Sequence, residues 1–280
     1  MIAIISSGIY TTLQDTGRFG FRKYGVPISG PMDAVSANNA NHLLNNDINA
    51  ALLEFTLQGA VLKFNHPAII AITGATNSPT VNDESISINT PIKIAAGSML
   101  KIGRCATGSF GYLAILGGFK GEKRLNSLAH YKGITTNQRI LKGESLFFSP
   151  HPNQDVPIDN KPTMINWKTN EIPAFKGPDF NMLDSQSANL LSASNFIVSN
   201  EISRMGYRID SERPIVAREI ITAPVQPGTI QLTPSGKLIA LMPDCQTTGG
   251  YARILQLSNK SRSILAQKRT GEHFSFNICD

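Results

Sequence analysis

The 280-residue chain has little charge, few cysteines and few aromatic residues. Its three cysteines, Cys105, Cys245 and Cys279, form no CxxC pair, which argues against a disulfide framework and favours a reducing compartment. No apolar run approaches the roughly 20 residues that a membrane helix needs. The amino-terminal MIAIISSG also lacks the basic segment of a signal peptide. We therefore predict a cytoplasmic globular protein that does not insert into a membrane.

Several catalytic and binding motifs are missing as well. The nearest run to a phosphate-binding GxxxxGK[ST] loop is GRCATGS, which lacks the lysine, and no GxSxG nucleophile elbow occurs. The five histidines lack metal-ligand spacing, which predicts no metal site. No Met-Lys pair, the usual site of biotin attachment, is present. If ATP or biotin takes part in the function, we expect another chain to bring it.

The net charge of +6 is unevenly distributed. Residues 1–150 carry 13 Lys and Arg against 8 Asp and Glu, whereas the remainder carries 13 against 12. The basic excess favours an anionic substrate or an acidic partner, although solubility alone also explains it. No basic run is interleaved with aromatic residues, which argues against nucleic-acid binding.

Strand patterns dominate what is present. Short β-branched or alternating runs recur between Gly, Pro, Asn and Asp, which favours barrels or sandwiches over a doubly wound sheet. We predict strands at 2–5, 60–64, 68–73, 85–88, 92–95, 98–102, 112–116, 196–199, 219–222, 229–233, 238–242 and 273–278. Because residues 151–170 are rich in Pro and Asp without periodicity, we predict domains at 1–150 and 171–280 joined by that linker.

A few short helices interrupt the strands. Apolar spacing predicts one over Asp33–Leu44, with Pro31 in the first turn and Ser29 or Gly30 as its cap. Asn41 lies on its alanine-rich face and either satisfies buried backbone or faces a site. Two more helices are predicted at 184–191 and 262–268.

Two glycine-rich polar blocks are the strongest functional signals. The first runs from Thr11 to Asp33 and the second, PDCQTTGGY, from Pro243 to Tyr251. Glycine lets a ligand approach the backbone closely, and loops on a rigid scaffold often carry function. In the second block two hydroxyls and two glycines suit an oxyanion or phosphate cradle, although a tight turn explains the glycines alone. We expect both blocks to line one cavity.

Charged residues in and near these blocks have two interpretations each. Arg18 suits a substrate carboxylate, or it braces a loop by pairing with Asp15. Glu54, in the apolar run ALLEFT, is an acid or base with a raised pKa, or it forms a core salt bridge. The run SRMGYR places Arg204 either at an anion site or in a surface hairpin.

These motifs, together with ALLEFTLQGAVLKF, PGTIQLTPSGKLIALM and LAQKRTG, resemble the KipA / allophanate-hydrolase-subunit-2-like family. The family includes the C component of 5-oxoprolinase and the carboxyltransferase region of urea carboxylase. The resemblance covers nearly the whole chain and implies a mainly β fold of two cyclophilin-like β-barrel domains. The chain departs from the family by lacking an arginine at Cys245 and another within Asn126–His130.

The resemblance implies an enzyme: the C component of a heteromeric complex that hydrolyses 5-oxo-L-proline to L-glutamate with ATP. It implies B-like and A-like partner proteins of 5-oxoprolinase, with ATP bound by or with a partner. The alternatives are a carboxyltransferase acting on a urea-like substrate with biotin from another chain, and a non-catalytic antagonist of a kinase-inhibitor-like protein. The carried-over catalytic residues are Asp33, Glu54, Thr247 and Thr248, and the substrate-binding residues are Arg18, Asn41, Arg204, Gln246, Gly249, Gly250 and Tyr251.

Overall fold

The structure, a computed structural model, describes residues 1–76, 78–150, 160–211, 213–216 and 220–279. Contacts between residues divide the chain into two compact units. The first unit comprises Met1–Arg18 and Ser29–Met164, and the second comprises Phe19–Ile28 and Ile165–Asp280. The predicted linker stays a prediction, because its residues 151–159 lie outside the described part. The strand predicted at 219–222 is wrong over its described residues: 220–222 form no strand, and the strand of this region begins at Ala223.

The first unit contains twelve strands among its described residues. They form a seven-stranded sheet in the order β11-β12-β1-β4-β9-β6-β7 and a five-stranded sheet in the order β2-β3-β10-β5-β8. The strands are β1 (Ile2–Ser6), β2 (Tyr10–Gln14), β3 (Leu52–Thr56), β4 (Val61–Phe64), β5 (Ala68–Gly74), β6 (Thr80–Val81), β7 (Glu84–Ser85), β8 (Pro91–Ile94), β9 (Met99–Lys101), β10 (Phe110–Ile115), β11 (Phe119–Lys120) and β12 (Ser145–Phe148).

Helix α1 (Ala34–Leu43) packs on β5 and β10, which are buried along their whole length. The helix begins after Asp33, whose carboxylate accepts hydrogen bonds from the Ser36 N–H at 3.0 Å and the Ser36 hydroxyl at 2.6 Å. The predicted helix is confirmed, but its predicted cap at Ser29 or Gly30 is wrong. An aspartate satisfies the free N–H groups of the first turn more directly than an upstream serine or glycine.

The second unit is built on a closed barrel in the order β13-β20-β17-β18-β15-β14-β21, beside the short pair β16-β19. Its strands are β13 (Glu171–Lys176), β14 (Phe196–Ile202), β15 (Gly206–Ser211), β16 (Ala223–Pro224), β17 (Thr229–Leu232), β18 (Leu238–Leu241), β19 (Thr248–Gly249), β20 (Ala252–Gln256) and β21 (His273–Cys279). Helices α2 (Ser185–Ala193) and α3 (Asn259–Gln267) and the 3-10 turns Arg22–Tyr24 and Phe180–Met182 complete it.

The barrel interior is apolar and partly aromatic. The rings of Phe196, Phe274 and Phe276 pack with centroids 5.1–5.9 Å apart. The buried residues alternate with outward ones along the strands, as the period of two in a pleated strand requires.

The predicted mainly β class is confirmed. The predicted third helix is also confirmed, but it begins at Asn259 rather than Arg262 because Ser258 caps it, accepting from the Ser261 N–H at 3.1 Å. The strand predicted at 85–88 ends at Ser85. Within the described residues, no helix is both long and apolar enough to cross a bilayer.

Candidate functional site

The second glycine-rich block is tied to the SRMGYR run within the second unit. The backbone N–H of Met242 donates to the Met205 carbonyl at 3.0 Å, and the N–H of Asp244 donates to the Arg204 carbonyl at 2.9 Å. The Arg204 guanidinium also holds the Asp244 carboxylate through its Nε at 2.7 Å and its Nη2 at 3.3 Å, and both side chains are largely buried. Arg204 therefore braces the two loops against each other, and its predicted role at an anion site of the substrate stays a prediction.

A chain of amide groups lies beneath the second block. Gln231, buried in β17, accepts from Gln246 Nε2 at 3.3 Å and donates to the Tyr251 carbonyl at 3.4 Å. A Cβ added at Gly249 would lie 2.6 Å from the Gln231 Nε2 atom. The loop can therefore cover Gln231 this closely because residue 249 has no side chain.

These residues border a pocket of about 400 Å³. Its lining combines amides, one ion pair and an apolar wall, and includes Met205, Arg208, Gln231, Ile239, Gln246 and Tyr251. The pocket thus brings together Gln246 and Tyr251, two of the predicted substrate-binding residues, with the SRMGYR run. Its cation, Arg208, pairs at 3.0 Å with Glu201, and about half of each side chain is exposed to solvent.

The other predicted residues of this block do not line the pocket. Thr248 is exposed, and Thr248 and Gly249 form β19 against β16. The Gly250 carbonyl accepts from the Ile220 N–H at 3.3 Å, and the Thr247 carbonyl accepts from the Val225 N–H at 3.1 Å. Thr247 and Thr248 as hydrogen-bond donors to a substrate, and Gly249 and Gly250 as its backbone cradle, stay predictions.

Part of the first block belongs to the second unit and meets the second block there. Arg22 donates through Nη2 to the Thr247 carbonyl at 3.3 Å and to the Val225 carbonyl. It also lies by the buried Cys245 thiol: burial raises the pKa of Cys245 to about 11, while the charge of Arg22 lowers it. Burial therefore keeps the Cys245 thiol protonated at physiological pH.

Two predicted catalytic carboxylates lie together in the first unit. Glu54 is buried in β3, where its Oε2 accepts from the Met32 N–H at 2.7 Å and from the Tyr112 hydroxyl at 2.9 Å. The Tyr112 hydroxyl in turn accepts from the Asp33 N–H at 2.7 Å. Burial, and then the charges of Glu54 and Asp33, raise the pKa of Tyr112 well above its usual value. These hydrogen bonds fix the position of the loop that precedes α1.

Arg18 and Asp15 secure a second loop of the first unit. The carboxylate of Asp15 accepts from the Ser127 hydroxyl at 2.5 Å and from the Leu128 N–H at 2.6 Å. Arg18 is fully buried and donates to the Ala129 carbonyl. These contacts place Arg18 in a bracing role at the 127–129 segment, and its role as a substrate ligand stays a prediction.

Beside this loop, burial lowers the pKa of His130 to about 4, against the opposing charge of Glu144 and with help from Arg18. Its Nδ1 is buried and has no hydrogen-bond partner within the described part of the chain. The imidazole is therefore neutral at physiological pH.

The side chain of Asn41 forms hydrogen bonds near the end of α1, one of them to the backbone. Its Nδ2 donates to the Ala50 carbonyl at 2.8 Å, and its Oδ1 accepts from Asn46 Nδ2 at 3.1 Å. It also borders a narrow crevice with Gln14 and Leu52. Of its two predicted roles, the structure shows the backbone role directly.

Residues 24–278 match the family described as Carboxyltransferase domain, subdomain A and B. The chain belongs to this family. It is 31% identical over 285 residues to the C component of 5-oxoprolinase from Escherichia coli strain K12, covering all of this chain and 91% of that protein. It is 36% identical over 236 residues to urea amidolyase of Saccharomyces cerevisiae, covering 78% of this chain and 13% of that protein.

A solved structure of the same class supports the fold of this carboxyltransferase-domain chain. The K. lactis urea amidolyase superposes with a TM-score of 0.89 at 24% identity, covering all of this chain and 19% of that one. The predicted family membership is confirmed. The chain thus spans nearly all of the bacterial 5-oxoprolinase component but only a small part of the fungal amidolyases.

Sequence reasoning missed three residues that organise the carboxyltransferase domain. Gln231 and Tyr112 each put a polar group into an otherwise buried strand, β17 or β10, and that interruption of an apolar run is the signal that could have found them. Arg22 gave no comparable signal, since its partners lie more than 200 positions away in the sequence.

Proposed function

We propose that this chain is the C component of a 5-oxoprolinase, which opens 5-oxo-L-proline to L-glutamate with ATP. The observation that carries the proposal is the 31% identity to the E. coli C component across 91% of that protein. Because that relative is named as one subunit of a larger enzyme, we propose B-like and A-like partner proteins in a complex that is active only when assembled.

The pocket of the second unit suits the substrate chemically. A five-membered lactam carries an N–H donor, a C=O acceptor and, in 5-oxoproline, a carboxylate. The Gln246 amide offers both a donor and an acceptor to the lactam, and Gln231 holds it in place at 3.3 Å. Because an exposed ion pair is worth about 0–1 kcal/mol, a substrate carboxylate can replace Glu201 on Arg208 at little cost.

We assign ATP to a partner protein or to a site completed by one. A polyphosphate needs several cations or a glycine-rich cradle of N–H groups. The described lining of the pocket contains one cation, Arg208, which is already paired. ATP, when bound, activates the lactam oxygen by phosphorylation, and this chain contributes orientation of the lactam and its carboxylate. Acid–base roles for Asp33 and Glu54 are part of the proposal.

The test uses the assembled enzyme. The purified chain is mixed with the A-like and B-like proteins of the same organism, and glutamate release from 5-oxoproline is measured with and without ATP. Turnover that requires this chain and ATP supports the proposal. Arg208→Gln is expected to raise the KM for 5-oxoproline about 10-fold or more, since it removes a charge-assisted contact to the substrate carboxylate. Lys237→Gln, which removes a similarly exposed paired cation, is the matched control and leaves the KM unchanged.

A second function is favoured by the 36% identity to the yeast urea amidolyase over 78% of this chain. Under it, the chain transfers a carboxyl group from biotin on another chain to a urea-like substrate, whose N–C=O unit resembles a lactam. Carboxylation of urea with a biotinylated carrier protein, in the absence of 5-oxoproline turnover, would replace the first proposal with this one.

A further inference from the structure

The floor of the pocket in the second unit is a row of three side chains on three neighbouring barrel strands. Arg208 of β15 lies directly opposite Ile239 of β18, and Ile239 lies directly opposite Gln231 of β17. Directly opposite residues of antiparallel strands project to the same face of a sheet, with their Cα atoms about 5 Å apart. Over about 10 Å, the row therefore presents a cation, then an apolar side chain, then an amide.

The row lies on the outer face of the barrel. The two neighbours of Ile239 along β18 are fully buried, and successive side chains of a strand alternate between faces. Leu241 also projects outward, but it is buried in a cluster with Val225 and Cys245. Ile239 packs against this cluster, is only partly buried and lines the pocket. The pocket floor thus contains an apolar side chain that a ligand can still contact.

Gly206, the glycine of the SRMGYR run, keeps the space beside Ile239 free. A Cβ added at Gly206 would lie 3.2 Å from the Ile239 Cγ2 atom and 3.2 Å from the Ala240 carbonyl oxygen. Both distances are shorter than an ordinary van der Waals contact. A side chain at residue 206 would therefore crowd Ile239 in the pocket that both residues line.

The order of groups along the row matches a lactam that carries a carboxylate. In 5-oxoproline, the carbon that bears the carboxylate and the carbonyl carbon flank the ring N–H, and the other two ring atoms are methylene carbons. With the carboxylate at Arg208 and the lactam amide at Gln246, which donates to Gln231 at 3.3 Å, the methylene groups lie on Ile239 between them. Urea has neither a carboxylate nor a methylene group and would use only the amide end of the row.

We infer that Ile239 is a specificity-determining residue, which contacts the ring methylenes of the substrate and selects a cyclic amide with a hydrocarbon edge. Under the proposed function, on which this step rests, the pocket floor recognises the ring as well as its polar groups. A methylene group on Ile239 is removed from water favourably, whereas a polar ring atom in its place would lose its hydrogen bonds to water without gaining a partner. Ile239 therefore favours a lactam acid over a cyclic urea of the same size and charge.

The experiment compares two ligands of the assembled enzyme in the absence of ATP. One is 5-oxo-L-proline, and the other is 2-oxoimidazolidine-4-carboxylate, in which an N–H replaces the ring methylene next to the carbonyl. Isothermal titration calorimetry gives the ratio of the two Kd values for the unmodified chain and for three variants. Ile239→Thr keeps the branched shape but adds a hydroxyl, and Ile239→Val keeps an apolar surface. Ile197→Thr, at a partly buried isoleucine of β14 that does not line the pocket, is the matched control.

The expected result is that the unmodified chain binds 5-oxoproline about 5-fold or more tightly than the analogue, as for one apolar contact. Ile239→Thr should reduce this preference to about 2-fold or less, since it replaces the apolar surface by a hydroxyl. Ile239→Val and Ile197→Thr should retain the preference.

Three outcomes overturn the inference and leave the proposed function intact, provided that the assembled enzyme turns over 5-oxoproline with ATP. The first is an equal Kd for the two ligands on the unmodified chain. The second is an unchanged ratio in Ile239→Thr, even if both ligands bind more weakly, because a structural role weakens both alike. The third is an equal loss of preference in Ile197→Thr. Absence of 5-oxoproline turnover by the unmodified assembled enzyme rejects the proposed function and the ring contact with it.

Discussion

At the scale of single residues, buried polar groups fix the loops on which the candidate chemistry depends. Tyr112, Glu54 and Asp33 show the pattern: one hydroxyl donates to a carboxylate at 2.9 Å and accepts from a backbone N–H at 2.7 Å. A buried hydrogen bond adds only about 0.5–1.5 kcal/mol, but a buried group left without its partner costs about 1–3 kcal/mol. The cluster is therefore sensitive to loss of one atom.

Tyr112→Phe tests this sensitivity. The change removes the hydroxyl, so the Asp33 N–H loses its acceptor and Glu54 loses a donor, in a fully buried site. We expect the free energy of unfolding to fall by about 1–3 kcal/mol, measured by urea denaturation. Tyr24→Phe, at a 70% exposed tyrosine, is the control. A loss below about 0.5 kcal/mol for Tyr112→Phe would show that the hydroxyl does not fix the loop.

His130 predicts a pH dependence of stability. Its pKa is about 4 when folded, below its ordinary 6.5, because burial disfavours the imidazolium. The unfolded chain thus binds the proton more readily, so this stability is complete above pH 6.5 and is lost as pH falls toward 4. Between roughly pH 7.5 and 5 the loss amounts to about 2 kcal/mol.

The measurement is chemical denaturation at about pH 7.5 and about pH 5 for the unmodified chain, His130→Asn and His273→Asn. We expect His130→Asn to flatten the pH dependence by about 2 kcal/mol. His273 is exposed, so its substitution should leave the profile unchanged. Parallel profiles for the unmodified chain and His130→Asn would refute a buried neutral imidazole.

At the scale of elements, the loop from Met242 to Tyr251 depends on a close approach over β17. Gly249→Ala would bring a methyl group within 2.6 Å of Gln231 Nε2, so the Gln231 side chain must move and release Gln246. Under the proposed function, we expect 5-oxoproline binding by the assembled complex to weaken about 10-fold, the loss of roughly one hydrogen bond, with a smaller effect on stability.

Gly250→Ala provides a matched control in the same loop. A Cβ at residue 250 meets its nearest atom, the Ile220 carbonyl oxygen, at 3.7 Å, which is ordinary contact. Calorimetry of 5-oxoproline binding to both variants separates a specific effect on Gln231 from general sensitivity of the loop. If the two variants bind alike, Gln231 does not position Gln246.

The elements themselves could largely be predicted from the sequence, and the exceptions have physical reasons. The strands β5 and β10 are continuous apolar runs, and such runs predict buried strands well. Strands β2, β12, β13, β15 and β20 are among those that escaped prediction, and charged, hydroxyl or proline residues interrupt the patterns of β2, β13 and β20. Gln246 and Tyr251 could be assigned to a pocket from their glycine-rich context. The ion pair between Arg204 and Asp244 could not be predicted, because the sequence does not show which charged side chains pair with each other in the folded protein.

At the scale of the whole molecule, the second unit is built from two separate segments of the chain. Phe19–Ile28 belongs to that unit although its neighbours on both sides belong to the first. Arg22 joins this segment to the rest of the unit, since its guanidinium donates hydrogen bonds to the Val225 and Thr247 carbonyls. The same Thr247 carbonyl accepts from the Val225 N–H at 3.1 Å, so one guanidinium supports the β16–β19 pair. Through Arg22, the inserted segment Phe19–Ile28 of the first glycine-rich block is hydrogen-bonded to Thr247 of the second block.

Arg22→Met tests this coupling, because methionine keeps much of the side-chain volume and removes every donor. We expect the Val225 amide to exchange with deuterium about 10-fold faster, the effect of losing roughly 1.4 kcal/mol of local hydrogen bonding. Amides of β5 and β10 in the first unit should keep their protection, which distinguishes local release from global destabilisation. Lys23→Met, at the exposed neighbouring position, is the control. Unchanged exchange at Val225 would mean that the inserted segment rests on the second unit without supporting its loop, and the two glycine blocks would then be energetically independent.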